Sequence, residues 1–114
     1  MIASMQRYEL RTLLQQMQSA GKPWHEFLRV PALSMGIYQL RAGDADKQSP
    51  HTEDEVYYIL EGAAQFRCGD EVMAVSPGTI LYVERLVPHR FFDITADLTI
   101  LVFFAPAEGS NKFS

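Results

Sequence analysis

Two histidines and a carboxylate are the side chains whose types and spacing could do chemistry in this sequence. In Pro50-His51-Thr52-Glu53-Asp54-Glu55-Val56-Tyr57, a histidine stands four positions before Glu55, with three residues between them, at the start of an apolar run that continues to Leu60 and ends at Gly62. Further on, His89 follows Pro88 and precedes Phe91 and Asp93. Two imidazoles and a carboxylate brought to one point form a donor set for iron, manganese, nickel or zinc. On a strand without a bulge, His51, Glu53 and Glu55 would share one face, and Phe91 and Asp93 would share a face with His89.

Around these residues, short β-branched or aromatic runs predict strands at 34–40, 56–60, 63–67, 71–75, 79–83, 89–94 and 98–104. Turn residues separate them at Gly43-Asp44, Glu61-Gly62, Cys68-Gly69-Asp70, Ser76-Pro77-Gly78 and Thr95-Ala96-Asp97. Before them, Leu10, Leu13, Leu14 and Met17 recur at helical spacing, which predicts one helix over 7–18 closed by Gly21 and Pro23. So many closely spaced short strands point to an all-β sandwich or barrel. The polar stretch 107–114 is expected to fray as a tail.

The two histidine segments resemble the paired motifs of the cupin superfamily, over about the central half of the chain. Gly43, Ser49, His51, Glu55 and Gly62 occupy the positions of its first motif, and Gly78, Glu84, Leu86, His89 and Asp93 those of its second. The identities depart at Ser49, where the family has a ligand histidine, at Glu84 and Leu86, where it has proline and glycine, and at Asp93, where it has asparagine. The resemblance implies an antiparallel jelly-roll β-barrel spanning 5–106, with His51, Glu55 and His89 meeting inside it on a divalent metal (Fe, Mn, Ni or Zn). Glu53 is the alternative to Glu55. Gln48, through its amide oxygen, or water would complete the shell in place of Ser49, whose neutral hydroxyl is a weak donor. Met35, Tyr57, Phe66, Phe91 and Phe103 are expected to wall a dry pocket for a small organic molecule. The resemblance also implies a homodimer, with Tyr8, Trp24 and Phe27 as expected contacts.

Composition narrows the function classes. The sequence has 114 residues with a formal net charge of −4, enough for one core and without the basic surface that nucleic acid or anionic lipid would select. Cys68 is the single cysteine, so no internal disulfide forms, and it has no base nearby in sequence to make it a nucleophile. With no signal pattern and no apolar run of about 18 residues, a cytoplasmic protein is expected. Three functions fit: a metal-dependent dioxygenase or isomerase, a non-catalytic module that binds a small molecule or metal, or a barrel with an abandoned site. An inward carboxylate in an abandoned site would destabilise the core, which weighs against the last. No residue is singled out by sequence as a separate acid or base.

Overall fold

The computed structural model describes residues 5–48 and 50–112. Helix α1 (Leu10–Ala20) is followed by strands β1 (Trp24–Val30), β2 (Leu33–Leu40), β3 (Asp54–Cys68), β4 (Glu71–Val75), β5 (Ile80–Val83) and β6 (His89–Ala105). All pairings are antiparallel, in the order β1-β2-β6-β3-β4, with β5 added to β3. This is the expected barrel with one short helix. The strands form one continuous sheet because β3 and β6 are long enough to run through both halves of the barrel.

Where sequence reading places turns at Glu61-Gly62 and Thr95-Ala96-Asp97, the chain stays in the ladder as bulges. The β3–β6 register shifts between Ile59 and Gln65. Gly62 has φ 103°, and an added Cβ there would stand 2.4 Å from the Asp97 carbonyl oxygen. Asp93 has φ 46°. Each irregularity moves the inward face by one residue. On β3, Glu55, Tyr57 and Ile59 point in before the shift and Ala64 and Phe66 after it. On β6, His89 and Phe91 point in first, then Ile94, Leu98, Ile100, Val102 and Phe104.

Those inward residues form the barrel core. A second, smaller cluster lies outside, where Leu13 and Met17 of α1 cover Ile37, with Leu14, Phe27 and Leu101 at its edge. The helix therefore exists by packing, as a lone amphipathic helix of this length must. Its C-terminus is closed as expected: Gly21 has φ 67° and its N–H donates to the Met17 carbonyl at 2.9 Å. It begins three residues later than expected, at Leu10. Trp24 to Leu28, which sequence reading takes as the connection from the helix to the first strand, belongs to strand β1. No helix among the described residues is long and apolar enough to cross a membrane.

Candidate metal centre

His51 lies just before β3, Glu55 near its start and His89 at the first position of β6. Glu55 and His89 are buried and His51 half-buried. Each offers one donor atom, and those three atoms all lie within 4.8 Å of one another. The turn preceding β6 is tied to the approach to β3 by Leu86 N–H donating to the His51 carbonyl at 2.8 Å.

The proton positions on the rings follow from their partners. His89 Nδ1 is 2.8 Å from the Val87 carbonyl, so Nδ1–H is the donor there and Nε2 carries the lone pair. That Nε2 lies 3.2 Å from Glu55 Oε1 and 3.0 Å from the Tyr57 hydroxyl. His51 presents Nδ1 to the same Glu55 Oε1 at 3.3 Å and Nε2 to Glu108 Oε2 at 3.2 Å. The Glu55 contacts have ion-pair distances without hydrogen-bond geometry. Both Glu55 oxygens and His51 Nδ1 are therefore buried without a hydrogen-bond partner.

Such a cluster is costly unless protons or a cation neutralise it. Burial pushes His51 down, but Glu108 and Glu55 outweigh it and raise the imidazole to about 9. Burial likewise acts to raise Glu55, and the two histidines beside it overcome that and lower it. His89 is lowered by burial and raised more by Glu55 and the Val87 carbonyl, for a net upward shift. A divalent cation would satisfy the same orphaned atoms with both rings neutral. The residues present fit such an ion.

A cavity of about 180 Å³ opens beside the cluster, lined by Trp24, Tyr38, Gln48, His51, Glu55, Val102, Phe104 and Glu108. Tyr57, Phe66 and Phe91, expected as its walls, belong to the barrel core instead: Tyr57 packs edge to face on both phenylalanines and those two rings are tilted by 50°, with centroids 4.7 to 5.7 Å apart. The Trp24 indole lies directly on Gly36, where an added Cβ would stand 2.2 Å from Trp24 Cη2. A larger depression of about 530 Å³ on the outer face has no His, Cys, Asp or Glu in its wall.

Several expectations need correction. Met35 and Phe103 pair with each other across β2 and β6, and Met35 lines the outer depression instead of the barrel pocket. The bulge near Asp93 reverses the facing of β6 between Phe91 and Phe103. Trp24 lines the cavity. Glu53 does not compete with Glu55. Its carboxylate is buried and accepts from Gly109 N–H at 2.7 Å, Asn111 N–H at 2.9 Å and the Thr52 hydroxyl. Those bonds hold a turn over 107–112 that was expected to fray. Gln48 does line the cavity, with its amide nitrogen on Asp46 at 3.1 Å and near the Tyr57 hydroxyl at 3.3 Å. Ser49 lies outside the described residues.

Asp46 was missed altogether. It is buried, and it accepts from the Tyr38 hydroxyl at 2.9 Å, Gln48 Nε2 and Phe91 N–H at 3.0 Å. In sequence it reads as one more acid in a solvated loop, and nothing local marks it. Tyr38, Val102 and Phe104 were open to detection, since their parity along β2 and the distal part of β6 puts them inward.

Residues 36–104 match the Cupin domain family. The chain belongs to the cupins. An uncharacterized protein of Streptomyces coelicolor is 43% identical over 83 residues, covering 73% of this chain and 79% of that one. Among solved structures, TT1209 of Thermus thermophilus superposes with a TM-score of 0.71 at 24% identity, covering 90% of this chain and 99% of that chain. A variant of the salicylate 1,2-dioxygenase of Pseudoaminobacter salicylatoxidans gives a TM-score of 0.68 at 20% identity, covering 83% of this chain and 33% of the dioxygenase. These structural likenesses support the jelly-roll fold and nothing finer.

Proposed function

We propose that this cupin binds a divalent metal through His51, Glu55 and His89 and acts on a small organic molecule held in the adjoining cavity, as an oxygenase or isomerase. One observation carries this reading: Glu55 Oε1, Glu55 Oε2 and His51 Nδ1 are buried, face one another and lack hydrogen-bond partners. A metal held by two histidines and one carboxylate keeps open positions, where it polarises an oxygen of the substrate or accepts dioxygen. Val87 fixes the His89 tautomer, and the aromatic walls exclude water. Among the described residues, no Lys or Arg lines the cavity. The substrate is therefore a small, largely apolar molecule that presents an oxygen to the metal.

Binding without turnover is the second reading, favoured by the two tyrosines. Burial pushes the hydroxyls of Tyr38 and Tyr57 up, and nearby carboxylates add to it, so neither exchanges a proton near neutral pH. Metal analysis of the protein as purified, followed by titration with Fe(II), Mn(II), Ni(II) and Zn(II), tests the shared claim. One metal per chain is expected, lost in His51→Ala and His89→Ala. Full metal content in both variants would overturn the site. Ser49→His, which restores the family's remaining histidine, is expected to tighten binding. Iron or manganese as the native metal favours oxygenase chemistry, and a zinc shell inert to dioxygen favours binding alone.

A further inference from the structure

We infer that Glu108 is a positioning residue for the metal centre, brought from the C-terminal turn to hold His51 in the tautomer and orientation that aim Nδ1 at the metal. This rests on the metal-binding reading above and assigns a role to a segment outside the residues matched to the family. His51 is the less enclosed of the two imidazoles, and its ring has no backbone carbonyl comparable to Val87 for His89. What faces its outer nitrogen is Glu108 Oε2, 3.2 Å from Nε2. Like the Glu55 contacts this one is an ion pair by distance, and a carboxylate in that place favours the proton on Nε2 and leaves the lone pair on Nδ1, the atom that looks toward Glu55. A carboxylate partner at the far nitrogen of a ligating histidine orients the ring and raises its basicity.

The turn that carries Glu108 is built to stay in place. Glu108 N–H donates to the Ser34 hydroxyl at 2.9 Å, and the Arg29 guanidinium donates to the Glu108 carbonyl at 2.8 Å. The next residues are held by Glu53, whose carboxylate is 1% exposed and takes the N–H groups of Gly109 and Asn111. A carboxylate buried to that degree is retained only when it is well hydrogen-bonded, and here two of its three donors belong to the turn. Three side chains, Arg29, Ser34 and Glu53, thus converge on the backbone around one glutamate, whose own carboxylate turns into the cavity against His51.

The test uses Zn²⁺ alone as probe, with affinity from competition against a chromophoric chelator. Imidazole ¹⁵N resonances of the loaded protein report the tautomer. The wild-type chain is expected to show His51 with a proton on Nε2. Glu108→Ala should weaken Zn²⁺ binding about 10–100-fold and broaden or shift that resonance. Glu108→Gln keeps an oxygen acceptor, so it should retain the tautomer and lose less affinity. In a His51→Ala background, Glu108→Ala should add no further loss, because the glutamate acts through that ring. Wild-type affinity and an unchanged His51 spectrum in Glu108→Ala would overturn the inference while leaving the metal site standing. Equal losses from Glu108→Ala with and without His51 would assign Glu108 a merely structural role and also overturn it. A wild-type chain that takes up no more Zn²⁺ than His51→Ala/His89→Ala would refute the metal reading itself, and this inference with it.

Discussion

At the scale of single residues, the cluster has two ways to neutralise its carboxylate, and they respond oppositely to pH. Without metal, His51 titrates near 9 in the folded chain against the ordinary 6.5. A raised imidazole contributes stability that is fully present below the unfolded value and is lost as pH rises through the folded one. The chelated protein should therefore lose thermal stability between about pH 6.5 and 9, whereas metal uptake, which needs neutral rings, should strengthen over the same interval. Thermal scans with and without chelator across that range check this, and a chelated midpoint that climbs with pH would contradict it. Leu86 offers a separate test. It has φ 68° and is 61% exposed, at the position where the family motif carries glycine. The left-handed conformation costs an L-residue roughly 1–2 kcal/mol, and the extra freedom of an unfolded glycine offsets part of that. Leu86→Gly is thus expected to be neutral or stabilising by up to about 1 kcal/mol in urea unfolding. A loss of comparable size would mean that the leucine side chain contributes packing.

Elements explain which parts of the site could be read from sequence. His51, Glu55 and Tyr57 were legible because no bulge intervenes, so spacing alone gives their common face. His89 was legible from its own segment and the turn before it. The facing of Phe103 was not, because period-two counting from Phe91 crosses the irregularity at Asp93. Met35 was misplaced although no bulge intervenes in β2: its neighbours Ser34 and Gly36 are the buried ones and Met35 lines the outer depression. Glu108 and Asp46 were invisible because their roles depend on contacts with residues far away in the chain. The bulges that defeat counting are structural requirements. At Gly62, φ 103° and the Asp97 carbonyl 2.4 Å from an added Cβ leave no room for a side chain, and the obstacle is backbone. Gly62→Ala should cost at least about 2 kcal/mol, from left-handed strain plus overpacking. Chemical denaturation would measure it, and a near-neutral result would show that the β3–β6 ladder can shift register here.

At the scale of the whole molecule, the outer face of the β5-β3-β6 sheet is unusually apolar. Tyr58 pairs with Ile80 and with Leu101, and Val56 with Tyr82 and Phe103, so these side chains share that face. Ile80 and Tyr82 are 68% and 62% exposed. A homodimer that covers this face in a two-fold arrangement is the expected assembly. Sedimentation should show it, with Tyr82→Lys shifting it toward monomer, and a wild-type monomer at micromolar concentration would argue against it. The proposed metal site would tie the molecule together in a different way. It joins the approach to β3, the start of β6 and, through Glu108, the C-terminal turn, segments that separate completely when the chain unfolds. An ion that binds only the folded chain stabilises it by mass action, about 2.7 kcal/mol at a hundredfold excess over Kd. For a domain of this size each kcal/mol moves the melting midpoint by roughly 4 °C, so saturating metal should raise Tm by about 10 °C. Chelation should reverse the gain and re-addition restore it. His89→Ala should show neither response, because its loss leaves one imidazole and one carboxylate. An equal Tm with and without chelator, in protein shown to carry metal beforehand, would place that metal somewhere other than this cluster.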